Sequence, residues 1–223
     1  MNLRKWRWRL AQFFELQWWK RYLRKKNKEA YLKWKKNYWK GFLKKMELEI
    51  PARARCLDAG CGPAGIFTCL AGRPLDAVDP LLDLYEQWTG CFSRADYPEV
   101  QFISLPLEQF RSSKPYAYIF CLNALNHFEN LQTGLELLQS HSRPETQVII
   151  SIDCHRYNLA KWIFRICQGD ILHPQQHSIR DYERMIEAMG GEICKKVLIK
   201  STFWFDYFAL NLKWQPDQRS SQM

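Results

Sequence analysis

A short apolar run over residues 53–58 ends in the bend Asp58-Ala59-Gly60-Cys61-Gly62-Pro63-Ala64-Gly65, and this bend constrains the fold more tightly than any other stretch. Glycines spaced G-x-G-x-x-G between a strand and a helix let the backbone turn sharply and come close to a ligand. Asp79 lies 19 residues beyond Gly60, at the end of the next apolar run. A glycine turn with an acid at that distance reads as a βαβ unit holding a ribose-bearing ligand.

The chain beyond the bend keeps that alternation. Apolar runs at 53–58, 75–79, 100–104, 116–122 and 146–152 predict strands, and 64–71, 82–91, 131–141, 158–167 and 178–189 predict helices, the last capped by Ser178. Residues 197–200 and 203–212 close as a hairpin. The fold class is α/β, a doubly wound, mostly parallel seven-stranded sheet with an antiparallel C-terminal hairpin. Ligands on such sheets sit at the carboxyl ends of the strands.

Charge divides the chain. Residues 1–46 hold 16 Lys and Arg against 2 Glu, a formal +14, while residues 47–223 hold 17 against 21 acids, a formal −4. The boundary predicts a basic helical extension (1–46), a mildly acidic α/β domain (47–215) and a polar tail (216–223). No run of about 18 uncharged apolar residues occurs, so no membrane-spanning helix is expected. The basic N-terminus lacks a continuous apolar centre and a small-residue cleavage site, and does not read as a secretory signal. The eight cysteines form neither CxxC pairs nor finger spacings, which fits a reducing cytosol and no metal.

Asp58 narrows what the bend can hold. A carboxylate two positions before Gly60 repels a pyrophosphate and suits a ligand carrying an ammonium and a sulfonium. The glycines taken alone equally fit a nicotinamide dinucleotide, so a nicotinamide-dependent oxidoreductase is the alternative enzyme class. A cofactor-binding or membrane-interaction protein without turnover is the alternative outside enzymes.

The bend resembles the first motif of class I S-adenosylmethionine-dependent methyltransferases, and Val78-Asp79-Pro80-Leu81 resembles the second. Leu107-Glu108-Gln109-Phe110 is similar to the acidic stretch beside the adenine. The stretch 119–128, with Asn123, Asn126 and His127, resembles the fourth strand and the segment under the cofactor. The likeness spans 51–212, closing hairpin included. It implies S-adenosylmethionine as cofactor, held by Asp58, Gly60, Gly62, Asp79, Pro80, Leu107, Glu108 and Asn123. Ala117 and Asn126 stand where the family often has acids.

Methyl transfer from a sulfonium needs alignment and exclusion of water, and a base where the acceptor carries a proton. His127, Asp153, His155 and His177 are the candidate catalytic residues, because they follow the fourth and fifth strands or sit in the loop that also holds His173. Structural roles compete with each: a cofactor-edge His127, a helix-capping Asp153, an ordinary turn at His173 and His177. Asp153, His155, His173 and His177 are all metal-ligand types, but nothing in the sequence makes them converge, and no metal is expected.

In the extension, Tyr31, Trp34, Tyr38, Phe42 and Met46 form a helical stripe over 29–46, widened by Leu32, Trp39 and Leu43, with Lys33, Lys36, Lys40 and Lys44 opposite. This predicts a helical lid over the pocket. Trp and Lys/Arg together in residues 1–26 suit an anionic membrane surface. Nucleic acid is disfavoured, because the acidic body shows no nucleic-acid module. The expected acceptor is a small molecule, a glycan or a lipid-linked precursor.

Overall fold

The structure is a computed structural model and describes residues 3–125, 128, 131–155, 178–202 and 205–214. Two helices lead, α1 (Leu3–Leu23) and α2 (Lys28–Met46). Strands β1 (Cys56–Ala59), β2 (Leu75–Val78), β3 (Val100–Ile103), β4 (Tyr118–Leu122) and β5 (Gln147–His155) follow. Between and after them come α3 (Phe67–Leu70), α4 (Leu82–Trp88), α5 (Leu131–Ser140) and α6 (Ile179–Ala188). Strands β6 (Gly191–Ser201) and β7 (Phe205–Trp214) close the chain. The sheet order is β3-β2-β1-β4-β5-β7-β6. Strands β1 to β5 pair in parallel, and β7 is antiparallel to both β5 and β6. The expected sheet is the one observed. Its order reverses beside β1, so the carboxyl ends of β1 and β4 flank the crevice in which such sheets bind ligands.

Both faces of the sheet are buried, because successive strand residues point to opposite sides. Cys56, Phe120 and Ile149 join one core with Trp39, Phe42, Met46, Phe67 and Leu70. Leu57, Ile119, Cys121, Val148 and Ile150 join the other with Leu131, Leu135, Tyr182 and Ile186. Helix α2 is therefore part of the main core. Asn27 caps its first turn by accepting from the Ala30 N–H at 2.9 Å. The Trp39 indole N–H donates to the Ala64 carbonyl at 3.0 Å, and Lys45 donates to the Ile199 carbonyl at 2.9 Å. Full burial of Phe42 alone contributes about 2–3 kcal/mol.

Three elements depart from the sequence expectation. Helix α3 is four residues long, where 64–71 was expected. Pro63 starts a separate 3-10 turn (Gly62–Ala64), and Gly65 then runs extended, which breaks the helix in two. Strand β5 continues three residues past Ile152, because β7 pairs with it as far as His155. Strand β6 covers eleven residues, where 197–200 was expected. Its residues alternate between half-buried and exposed through Leu198, and two register shifts against β7 interrupt the ladder. Lysines on an edge strand masked that period in the sequence. Ser178 caps α6 in a full capping box with Asp181, as its sequence suggests. The helix expected at 158–167 and the tail at 216–223 lie outside the described residues.

Candidate active site

The bend at the end of β1 demands glycine for its left-handed backbone at Gly60 and Gly62 and for lack of room at Gly60 and Gly65. Gly60 has φ +72°, and a Cβ there would lie 2.4 Å from that of Ala124. Gly62 has φ +57°, with the Trp19 ring 4.0 Å from where its Cβ would stand. Gly65 answers to space alone: its missing Cβ would lie 2.5 Å from Asp58 Oδ2 and 2.4 Å from the Cys61 carbonyl oxygen.

Two buried acids hold the bend. Asp58 Oδ2 accepts the Phe67 N–H at 3.1 Å, tying β1 to the start of α3. Asp79 accepts the Gly62 N–H at 3.0 Å and the Leu81 N–H at 2.8 Å, tying the glycine turn to the approach to α4. Burial pushes Asp58 up to about 7, and the neighbouring Asp79 charge adds to this against the two backbone N–H donors. Burial also pushes Asp79 up to about 7, with the Glu15 charge second. Both carboxyls therefore sit in surroundings that penalise their negative charge, and a cation entering beside them relieves the penalty.

A cavity of about 650 Å³ opens above the bend, within the size range of small-molecule sites. Asp58, Gly60, Gly62, Asp79, Pro80, Leu107, Glu108 and Asn123 all line it. Its roof is helical: Gln12, Glu15, Trp18 and Trp19 come from α1, and Trp34, Lys35, Tyr38 and Trp39 from α2. The Tyr85 hydroxyl donates to Glu15 at 3.2 Å and fixes α1 over this end. The aromatic rings run on as a ladder. Trp18 stacks on Tyr22 with centroids 4.9 Å apart, and Trp34 lies 5.9 Å from both Tyr31 and Tyr38.

The far rim is polar. Asp153 of β5 and Lys200 of β6 line the same cavity. The Tyr207 hydroxyl donates to Ser151 Oγ at 2.7 Å, and Ser151 Oγ accepts the Asn123 N–H at 3.1 Å. The Tyr38 and Tyr207 hydroxyls feel each other, and both feel the Asp153 charge. Asn123 adopts φ +56°, a left-handed bend available to Asn, which turns the chain out of β4 beneath the cavity. His127, His173 and His177 lie outside the described residues, as does the His155 side chain at the end of β5. Among the described residues, no group of three or more potential metal ligands converges.

Sequence reasoning passed over Glu15, Lys35, Lys200 and Tyr207. Lys35 was findable. Its helical neighbours at three and four positions are Tyr31, Leu32, Tyr38 and Trp39, while no other lysine of α2 is surrounded in this way. Trp34 and Tyr38, on the stripe expected to cover the pocket, are 52% and 36% exposed and line the cavity.

Known proteins resemble the chain in sequence and in fold. Residues 31–195 match the sequence profile of a methyltransferase domain. Over 102 residues the chain is 30% identical to a ubiquinone biosynthesis O-methyltransferase of Rickettsia canadensis and 31% identical to one of Rickettsia conorii. Each alignment covers 45% of this chain, and 43% and 35% of those relatives, so it spans less than half their length. Magnesium protoporphyrin IX methyltransferase of Synechocystis, solved with bound SAH, has a similar fold (TM-score 0.58, 19% identity, 83% of both chains). So does geranyl diphosphate C-methyltransferase of Streptomyces coelicolor (TM-score 0.61, 14% identity, 78% of this chain and 74% of that one). At such identities the likeness is one of fold. The profile match runs from α2 into β6, takes in the glycine bend and both buried acids, and identifies the chain as a member of the methyltransferase domain family.

Proposed function

We propose that the chain transfers a methyl group from S-adenosylmethionine to a hydroxyl of a small-molecule acceptor. The observation that carries this reading is the roofed cavity over two buried acids raised towards neutrality, which favours a cationic ligand over a diphosphate. The residues fit such a ligand. Gly60 and Gly62 leave backbone where a thin chain can lie, and Asp79 stands where a diol can reach it. Pro80, Leu107 and Glu108 edge the same end and suit a purine.

When bound, the donor supplies a methyl on a positively charged sulfur, with a neutral thioether as leaving group. The chain's own residues then align and shield. The α1 and α2 rings cover the cavity and exclude water. Asp153 stands at the rim as the group to take the acceptor's hydroxyl proton, with Tyr38, which lines the same cavity, orienting that oxygen. His127, His155 and His177 remain candidates for the same proton.

Titration with S-adenosylhomocysteine and with NAD tests the reading directly. Binding of the first alone is expected; binding of NAD alone overturns it in favour of an oxidoreductase. Labelled-methyl transfer to a panel of phenols, with and without lipid chains, then tests the acceptor class. Binding of S-adenosylhomocysteine without methyl transfer to any of them would favour a non-catalytic role.

A membrane location for this chemistry has its own support. Phe13, Phe14, Trp18 and Tyr22 are exposed on α1 near Lys20, Arg21, Arg24, Lys25 and Lys26. Trp18 belongs both to that surface and to the cavity lining, so a lipid-linked acceptor could pass from bilayer to site. Among the described residues, no helix is long and apolar enough to cross a membrane. Co-sedimentation with anionic vesicles, lost in high salt and in Trp18→Ser, is expected; indifference to anionic vesicles at low salt removes this location.

A further inference from the structure

We infer that Lys200 binds a carboxylate of the acceptor, on the side of the molecule away from the hydroxyl that Asp153 faces. The inference rests on the acceptor hydroxyl proposed above and names the group beyond it. Lys200 lines the cavity from β6, an edge strand of the sheet. A bulge aims it there. Leu198 pairs with Phe208 and Lys200 with Tyr207, so Ile199 is the extra residue in the ladder. Unbroken alternation would carry Lys200 to the face that Leu198 shows. With the bulge, Lys200 shares the face of Tyr207, which packs with Ile199 in the core on the α2 side. Lys45 of α2 donates to the Ile199 carbonyl at 2.9 Å and ties the bulge to the helix above it.

Strand register sets Lys200 against Asp153. Asp153 of β5 pairs with Tyr207, and Tyr207 pairs with Lys200, so the three form one cross-strand row on one face. Neighbouring strands lie about 4.8 Å apart, which separates the Asp153 and Lys200 backbones by roughly 10 Å. The ring between them leans away, because the Tyr207 hydroxyl donates to Ser151 Oγ, two residues deeper in β5. Asp153 and Lys200 line the cavity, and the space between their charges is left to a ligand. The other lysines of β6 are already paired, Lys195 with Glu47 and Lys196 with Glu183, each at 2.6 Å. Among the described residues, Lys200 has no hydrogen bond and no ion pair. Asp206, the next acid along β7, pairs with Ser201 on the opposite face and accepts its hydroxyl at 2.5 Å. Lys200 stands four strands from β1, on the order of 20 Å, whereas the glycine bend and Asp79 lie at the ends of β1 and β2. That distance assigns it to the acceptor. A molecule whose hydroxyl meets Asp153 extends across β7, and a carboxylate at its far end meets the ammonium in a charge-assisted bond.

Calorimetric titrations of the protein saturated with S-adenosylhomocysteine test this. The probes are 3-hydroxybenzoate, 4-hydroxybenzoate and 3-(4-hydroxyphenyl)propanoate, each beside its uncharged amide. Wild type is expected to bind at least one acid roughly 5- to 20-fold more tightly than its amide, between the worth of an exposed ion pair and that of a charged hydrogen bond. Lys200→Met is expected to abolish that preference, and Lys200→Arg to keep most of it. Thermal midpoints of the unliganded variants establish that each is folded, and Lys200→Gln replaces Lys200→Met should the latter not fold. Binding of none of the acids, no preference in wild type, or a preference that survives Lys200→Met overturns the assignment. Weaker S-adenosylhomocysteine binding in Lys200→Met gives the lysine to the donor and overturns it as well. Should wild type fail to bind S-adenosylhomocysteine at all, the donor reading itself fails, a result distinct from all of these.

Discussion

Replacing Asp58 with Asn should make the unliganded protein relatively more stable as pH rises. Asp58 titrates from 3.8 when unfolded to about 7 when buried. Between those values the folded chain holds one more proton than the unfolded chain at this site, so stability falls with rising pH. The penalty is absent below 3.8, grows up to about 7 and is constant above. Its full size is about 4 kcal/mol, of which about 3 kcal/mol develops between pH 5 and pH 8. Asn keeps an oxygen for the Phe67 N–H and carries no charge, so the variant lacks this slope. Constant effects of the substitution, such as a weaker hydrogen bond, cancel when the two proteins are compared across pH. For a chain of this length the Tm gap should widen in the variant's favour by about 5–10 °C from pH 5 to pH 8. Differential scanning calorimetry on both proteins at four pH values measures it. A gap that stays constant, or that moves towards wild type at high pH, refutes a raised Asp58. The same ionisation works the other way on ligand binding. A cation favours the carboxylate, so wild-type affinity for S-adenosylhomocysteine should fall by up to about tenfold per unit below pH 7, and Asp58→Asn should bind weakly with a shallower pH dependence.

Gly60→Ala should cost more than about 2 kcal/mol, since a left-handed backbone and a 2.4 Å overlap with Ala124 act together. Gly90→Ala, at φ +65° but in open space, should cost about 1–2 kcal/mol, and urea melts separate the two. Trp39→Phe should lower stability by about 1–2 kcal/mol through loss of the bond to the Ala64 carbonyl, while Trp34→Phe should stay within about 0.5 kcal/mol. Asp153→Asn should reduce kcat by about 100-fold with S-adenosylhomocysteine affinity within twofold of wild type; an unchanged kcat removes Asp153 as the base.

The sheet was legible because its signals are local. Apolar runs bounded by glycine, proline and acids located β1 to β4 within two or three residues at each end. The glycine bend and Asp79 carried the site, since spacing along the chain determines which backbone groups meet at a turn. What the sequence concealed depends on contacts between distant segments. Strand β6 reads as a broken pattern because its lysines lie on an edge with solvent beside it. Trp34 and Tyr38 share one period with Phe42 and Met46, and only the docking of α1 decides which part of that stripe lines the cavity and which packs into the core. The roles of Asp58 and Asp79 in bracing the bend were equally hidden, since acceptance of backbone N–H groups leaves no mark on composition.

The sheet's two outer strands finish it differently. Strand β3 is four residues long, and β6 is long but kinked twice and studded with Lys195, Lys196 and Lys200. Irregular ladders and like charges make a poor template for a neighbouring copy. A crowded solution of this protein therefore meets no ready seam along which one sheet could grow into the next.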